Sequence, residues 1–226
     1  MAQASQKSDS LYFKKLEDWK IVVESSLDKN HEYNAKAEGL IRADPEQVWA
    51  VLIDFNNWKS IFPHLPVSSE IPPETAVQLK ELAQTGNIPP EVLEAWRVRL
   101  DKAKTNNGPW WMRHMGQVWD GYLFEVYDFP WPVTNRWSVN QLTMDERARD
   151  QKQYQLNWQM LVGTFRVSHG FFKLEPYSRN PSLSHLRMTL VNDPGLHVPQ
   201  PLINLGSHMS LPNVIRGIRR AAEGQK

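Results

Sequence analysis

Apolar and polar residues alternate with a period of two through most of the chain between residues 110 and 191. This period is typical of β-strands that have one buried face and one face in water. The clearest predicted strand has its alternate apolar positions at Tyr154, Leu156, Trp158, Met160 and Val162. Further alternating groups are Tyr122, Phe124 and Val126, then Trp137 and Val139, then Leu186, Met188 and Leu190. At least five successive strands joined by short turns predict an antiparallel sheet.

The phase of this alternation changes near Gly170. One predicted face carries Phe165, Val167, His169 and Phe171, and the other carries Phe172 and Leu174. An extra residue in one strand shifts the phase in this way, and a glycine inside a strand often marks it. The pattern therefore predicts a β-bulge at Gly170.

Two shorter strands are predicted near the N-terminus, at residues 19–25 and 32–42, and a helix follows them. Asp44 is suited to cap its first free N–H groups, Pro45 to its first turn, and Gln47 to a capping box. The apolar face of this helix is spaced by four and three residues and consists of Val48, Leu52 and Phe55.

Helical spacing returns in two further places. Between residues 71 and 104, two Pro-Pro pairs each precede an amphipathic pattern and Gly86-Asn87 separates the two patterns, which predicts an inserted helical hairpin. From about Pro201 to Ala222 the apolar positions again follow a helical period, and Pro212 predicts a kink or a short break there. The order of elements predicts one α+β domain, residues 19–226, after an N-terminal extension of residues 1–18.

Composition excludes several classes of protein. Among the 226 residues, 26 Lys and Arg balance 25 Asp and Glu, so the chain lacks the excess of cations that nucleic-acid binding requires. There is no cysteine, which excludes disulfides, thiolate metal sites and cysteine nucleophiles. No apolar run approaches the ~20 residues that cross a bilayer, which predicts a soluble protein. The 10 tryptophans are more than ordinary core filling requires, and they favour a broad aromatic surface.

No recognisable catalytic motif is present. The seven histidines include no His-Glu-x-x-His pattern, and the glycines form no phosphate-binding loop. Gly206-Ser207-His208 lacks the strand and turn that a nucleophile elbow requires. We therefore expect no metal and no cofactor. The segment Ala2-Gln3-Ala4 is similar to the end of a leader cleavage site, so an extracytoplasmic location such as the periplasm stays open beside the default, the cytoplasm.

Three segments resemble the START-like superfamily, also called SRPBCC, which includes START lipid-transfer domains and polyketide cyclases. Residues 43–55, with Trp58 and Phe62-Pro63 after them, resemble its first helix. Residues 129–136, FPWPVTNR, resemble the proline-rich turn that leads to an arginine in START domains. Residues 193–199, DPGLHVP, resemble the entry to the terminal helix. The helical hairpin at residues 71–104 has no counterpart in this pattern.

The resemblance implies a helix-grip fold, in which a curved antiparallel sheet surrounds a long C-terminal helix and a hydrophobic ligand lies between them. We expect the lining to come from large side chains on the inward strand faces. The candidate ligand-binding residues are Phe124, Arg136, Trp137, Trp158, Met160, Phe165, His169, Phe171 and Met188 on the strands, and Leu205, His208 and Met209 on the terminal helix. Ordinary core packing would use the same residues.

Two groups of basic residues have alternative interpretations. Arg136 either points into the cavity or forms a structural ion pair, and an inward Arg136 requires a partner because a buried unpaired cation is costly. The cluster Arg216, Arg219 and Arg220 either stabilises the end of the terminal helix or touches an anionic membrane transiently. The pattern does not indicate an oligomeric state.

Three functions fit these observations. The first is binding of a lipid or other hydrophobic small molecule, which the protein carries or presents without catalysis. The second is a cyclase or aromatase on the same fold, with Arg136, His169 or Tyr122 as its polar groups. The third is a protein-interaction module that uses the helical insertion.

Overall fold

The computed structural model describes residues 2–28, 32–84, 116–128, 135–193 and 200–224, with the side chains of residues 2–9 and 200–210 outside the described set. The described helices are α1 (Ala2–Glu17), α2 (Pro45–Leu52), α3 (Trp58–Ile61), α4 (Pro73–Gln84) and α5 (Gln200–Ala222). The described strands are β1 (Val22–Leu27), β2 (Tyr33–Ile41), β3 (Val67–Glu70), β4 (Val118–Tyr127), β5 (Arg136–Asp145), β6 (Tyr154–Gly163), β7 (Val167–Tyr177) and β8 (Asn180–Asp193).

These eight strands form a single antiparallel sheet in the order β1-β2-β8-β7-β6-β5-β4-β3. Strands β4 to β8 pair with their neighbours in sequence, as short turns dictate, and β8 then pairs with β2. The chain thus brings its second and last strands together, and the α+β helix-grip arrangement expected from the sequence is confirmed. None of the helices in the described ranges is long and apolar enough to span a membrane.

Helix α2 begins as the sequence predicts. The Asp44 side chain accepts from the N–H of Glu46 at 3.0 Å, and the Gln47 side chain accepts from the N–H of Asp44 at 3.1 Å. Both halves of the capping box are present, with Pro45 in the first turn. The predicted apolar face, Val48, Leu52 and Phe55, is completely buried.

The inner face of the sheet, defined as the face toward α2 and α5, holds the largest group of packed apolar side chains. Helix α5 contributes the fully buried Ile215 and Ile218 to this group and packs against β2. The helix packs very closely at Gly217, because a Cβ there would lie 2.2 Å from the carbonyl oxygen of Ile61. Glycine is therefore required where α5 crosses α3.

The outer face of the sheet is covered at both ends by helices. Helix α4 packs Ala76 and Leu79 against the side of the sheet formed by β4, β5 and β6. Helix α1 packs Leu16 against Leu40 and Tyr177 at the other side. The first half of the predicted hairpin is thus a real helix, whereas its second half, residues 85–104, lies outside the described residues.

Two local expectations are wrong. No bulge occurs at Gly170, since β7 pairs in unbroken register from Val167 to Pro176. The glycine instead lies beneath the ring of Trp158, whose Cζ2 would be 2.4 Å from an added Cβ. Helix α5 also runs continuously through Pro212, so the predicted short break is wrong and the kink stays a prediction. The register shifts of the described sheet lie between β5 and β6, at Val139 and Asn140, and between β7 and β8, at Pro176 and Tyr177.

Candidate functional site

The apolar side chains of the inner face are less buried at one end of the strands than at the other. We call the end where β4 stops, β5 starts and β8 stops the upper end of the sheet. On β6, Leu156 is completely buried, whereas Trp158 and Met160, nearer the upper end, are only half-buried. On β8, Leu186 is buried and Leu190 is half-buried in the same way. The packed core therefore opens toward the upper end, where α5 begins shortly after β8 stops.

An aromatic wall stands between the packed half and the opening half of the inner face. The rings of Trp158 and Phe172 lie 5.4 Å apart at 42°, and Trp58 meets Phe172 edge-on with centroids 6.3 Å apart. Trp158 reaches this position because Gly170 on the adjacent strand leaves room for its indole. The wall is thus set by a contact between β6 and β7.

Beyond this wall the inner face carries a polar group that we call the Glu125 cluster: Glu125, Tyr127, Ser138 and Asn140. The Tyr127 hydroxyl donates to Oε2 of Glu125 at 2.9 Å. The Asn140 side-chain amide donates to the same oxygen at 2.5 Å and to Ser138 Oγ at 3.0 Å. Adjacent strands β4 and β5 supply these residues in register, since Glu125 is directly opposite Ser138.

Burial controls the protonation of the Glu125 cluster. Glu125 is only 4% exposed, and removal from water raises the pKa of its carboxyl from 4.5 to about 7, against the opposing effect of its two hydrogen bonds. Burial also raises the pKa of Tyr127, so its hydroxyl keeps its proton and remains a donor. The site therefore holds a carboxyl that changes protonation state near neutral pH.

Toward the upper end of the inner face, three buried polar atoms of the described residues have no hydrogen-bond partner: Oδ1 of Asn140, the hydroxyl of Tyr33 and Oδ1 of Asn192. Asn140 is 2% exposed and Tyr33 is 4% exposed, so water does not readily reach them. Tyr33 lies directly opposite Asn192 across the pairing of β2 with β8. Unpaired buried polar atoms are uncommon in proteins, and a bound ligand is one way to satisfy them.

Arg136 lies at the start of β5 on the same face as Ser138 and Asn140. Its residue is 8% exposed, and burial lowers the pKa of its guanidinium. Nη1 donates to the carbonyl oxygen of Asn135 at 3.5 Å, and the side chain is engaged with other groups as well. The arginine thus faces inward and has partners within the protein.

The structure places five predicted strand residues toward the inner face. Trp158, Met160 and Met188 lie there by strand parity, with Arg136 beside them. Phe165, which follows β6, meets Tyr127 edge-on at 5.4 Å. Contact of these residues with a ligand stays a prediction.

The inward orientation predicted for four other residues is wrong: Phe124, Trp137, His169 and Phe171. Phe124 and Trp137 lie on the outer face, packed beneath α4. His169 and Phe171 lie on the outer face farther along the sheet, in an open groove of about 610 Å³ whose lining also includes Gln141 and Gln159. Water can satisfy the polar groups of an open groove, so the inner face, with its buried polar atoms that have no partner, is the stronger candidate site.

The remaining predicted residues, Leu205, His208 and Met209, lie in the first half of α5, and their side chains are outside the described set. Of the C-terminal basic residues, Arg219 turns toward the sheet: its Nε donates to the carbonyl oxygen of Leu40 at 3.0 Å and its guanidinium lies over Trp19. The three arginines therefore do not form one exposed cluster.

Sequence reasoning missed Glu125, Tyr127, Ser138, Asn140 and Tyr33. The signal was present in β4, where Glu125 and Tyr127 have the same parity as Trp119 and Leu123. The other parity, with Phe124 and Val126, is more uniformly apolar and was therefore assigned to the core. Helix α4 explains why the more apolar residues of β4 lie on the outer face, because the helix packs over them and buries them.

Comparison with known proteins supports the fold. A family model described as "Polyketide cyclase / dehydrase and lipid transport" matches residues 41–218. No curated protein sequence matches the chain. A STAR-related lipid transfer protein fragment from Xanthomonas axonopodis is 14% identical with a TM-score of 0.58, covering 90% of this chain and 93% of its own.

Two further solved structures share this architecture. Human StAR-related lipid transfer protein 5 is 11% identical with a TM-score of 0.53, and the match covers 99% of this chain and 98% of that protein. The Zhui aromatase/cyclase from Streptomyces sp. R1128 is 10% identical with a TM-score of 0.52, and the match covers 85% of this chain and 94% of the enzyme. At these identities the likeness concerns the fold.

Proposed function

The chain belongs to the polyketide cyclase/dehydrase and lipid transport family, and on that premise we propose that it binds a lipid or other hydrophobic small molecule on the inner face of its sheet and carries or presents it. The observation that supports this most directly is the opening of the inner face beyond the Trp158 wall. Half-buried apolar side chains there adjoin buried polar atoms without partners.

Burial of the ligand supplies the driving force. Each Å² of apolar surface removed from water contributes about 25 cal/mol, so a lipid-sized molecule gains enough to offset its immobilisation. The few polar groups around it fix its orientation rather than its affinity. This division of roles suits a carrier that must hold its cargo and also release it.

The first experiment is native mass spectrometry of freshly purified protein, followed by organic extraction and identification of whatever co-purifies. We expect a stoichiometric hydrophobic molecule. A protein that is empty as purified and binds no member of a lipid panel would contradict the proposal.

Two matched tryptophan variants test where the ligand lies. Trp158→Ala changes the inner face, and Trp137→Ala changes the outer face on the adjacent strand. We expect Trp158→Ala to weaken ligand binding about tenfold. Trp137→Ala should lower the free energy of unfolding by about 3 kcal/mol and leave the affinity of the folded protein unchanged. Equal effects of both variants on binding would refute the inner-face site.

A second function, a cyclase or aromatase, is favoured by one observation, the carboxyl of Glu125 with its pKa of about 7 beside the Tyr127 hydroxyl. A group that is half-protonated near neutrality is suited to transfer protons. The polar groups first considered for this role do not converge, because Tyr122 and His169 lie on the outer face. Incubation with polyketide mimics, read by product mass, separates the two functions. Turnover that Glu125→Gln abolishes while binding persists would establish the enzyme.

A further inference from the structure

The unpartnered atoms of the inner face lie at two separate places, and this inference rests on the proposed function of that face. The first place is Oδ1 of Asn140 on β5, within the Glu125 cluster. The second is the Tyr33 hydroxyl on β2 with Oδ1 of Asn192 on β8 directly opposite. Each place is buried, and a ligand atom there can supply what water supplies to an exposed group.

At the first place the missing partner is a hydrogen-bond donor. Both donations recorded for the Asn140 side chain come from its amide nitrogen, to Glu125 and Ser138, which orients the carbonyl oxygen away from these acceptors. An amide oxygen can only accept. A ligand must therefore present an O–H or N–H group there.

At the second place the same chemistry recurs. Oδ1 of Asn192 can only accept, and the phenolic oxygen of Tyr33 can both accept and donate. A ligand hydroxyl group suits both atoms, because it can donate to the amide oxygen and can accept from the phenol. A carboxylate or a phosphodiester has no proton to donate at neutral pH and would leave Asn192 unpaired.

The two places face each other across an apolar span. Asn192 lies on β8 and Asn140 on β5, so three inter-strand spacings, or about 14 Å along the sheet, separate them. Between them the inner face carries the half-buried Leu190, Trp158 and Met160, and the half-buried Ser168 on β7, directly opposite Asn192, belongs to the polar place at that end. The ligand therefore has an apolar middle between two polar ends.

We propose that the ligand is an uncharged apolar molecule with a hydroxyl group at each end, one bound by Asn140 and the other by Tyr33 with Asn192. A lipid with one polar end would leave one of the two places unpaired. An anionic end would meet the Glu125 carboxyl at one place and the acceptor of Asn192 at the other. Arg136, the nearby cation, is already engaged within the protein.

Competition against a neutral fluorescent probe, N-phenyl-1-naphthylamine, tests this ligand class. The competitors are α,ω-alkanediols of increasing chain length, the matched 1-alkanols and the matched dimethoxy ethers, which accept hydrogen bonds but donate none. We expect diols of the fitting length to bind more tightly than either series. Tyr33→Phe should weaken the binding of the best diol about tenfold and the binding of the matched alcohol far less. Tyr122→Phe on the outer face is the matched control and should change neither.

A second measurement separates a ligand contact from a structural role. Tyr33→Phe removes a buried hydroxyl that has no partner in the empty protein, so the variant should unfold at the same temperature as the parent or higher. A lower unfolding temperature would show that the hydroxyl stabilises the fold and would overturn its assignment to the ligand.

The possible results of the competition are distinct. Equal binding of diols, alcohols and ethers would overturn the two-ended ligand and leave hydrophobic binding intact. If alcohols bind as tightly as diols and ethers bind more weakly, then only one of the two places binds a hydroxyl group, and the proposal is overturned. If neither the probe nor any competitor binds, the proposed function itself fails.

Discussion

Replacing the buried Glu125 by glutamine should make the protein more stable, and increasingly so as the pH rises. Glutamine has nearly the same shape, and its Oε1 can still accept from Tyr127 and Asn140 as the Oε2 of Glu125 does. The substitution therefore removes the ionisation and keeps the hydrogen bonds.

The magnitude follows from the pKa of Glu125, which is raised from 4.5 to about 7 in the folded protein. Between these values the folded state binds more protons than the unfolded state, so stability falls as the pH rises through this window. Each pH unit costs about 1.4 kcal/mol, and the full cost above pH 7 is about 3 kcal/mol. Below pH 4.5 both states are protonated and the cost vanishes.

Urea denaturation at pH 5, 6, 7 and 8 measures the difference in the free energy of unfolding between Glu125→Gln and the parent. Steps of about one pH unit resolve the window. We expect a difference of less than about 1 kcal/mol at pH 5 and of about 3 kcal/mol at pH 8, both in favour of the variant. Glu70, whose pKa is raised to about 8 by burial, changes stability in the same direction but cancels because both proteins contain it. The exposed Glu24→Gln is the control. A difference that does not vary with pH would refute the reasoning.

Two further predictions concern the folded framework. Glu146 is buried and forms an ion pair with Arg149 at 2.9 Å. Glu146→Ala should therefore lower the free energy of unfolding, measured by urea denaturation, by about 3–5 kcal/mol. Glu46 pairs with the same arginine at an exposed position, so Glu46→Ala should lower it by less than about 1 kcal/mol. Similar losses in both would contradict this account. Gly217→Ala should lower the thermal midpoint, because its Cβ would lie 2.2 Å from the Ile61 carbonyl oxygen, and an unchanged midpoint would show that the α3–α5 crossing adapts.

Those parts of the fold that depend on local chemistry could be predicted from sequence. The start of α2 is an example, because Asp44, Pro45 and Gln47 satisfy the backbone of their own turn. The apolar face of α5 is another, since Leu211, Ile215 and Ile218 are all buried as their spacing predicts. In both cases the information lies within a few residues of its consequence.

The candidate site depended on contacts between distant segments and was therefore predicted poorly. Helix α4 buries the more apolar side of β4, so Phe124 lies on the outer face of the sheet and Glu125 on the inner face. The phase change near Gly170 reflects an indole from β6 that lies over the glycine, and not an inserted residue. A carboxylate in an alternating pattern suggests a position exposed to solvent, and sequence alone does not reveal that another strand supplies its hydrogen-bond partners.

Helix α4 also has a consequence for how this protein can diverge. By packing against the outer face, it holds the upper parts of β4 and β5 from behind, so the inner face there can carry polar residues such as Ser138 and Asn140. Variation at these two positions changes the chemistry of the inner face, provided that the buried Glu125 keeps a hydrogen-bond donor. A protein built in this way keeps one framework while its cargo changes, and directed evolution of new ligands should begin at these positions.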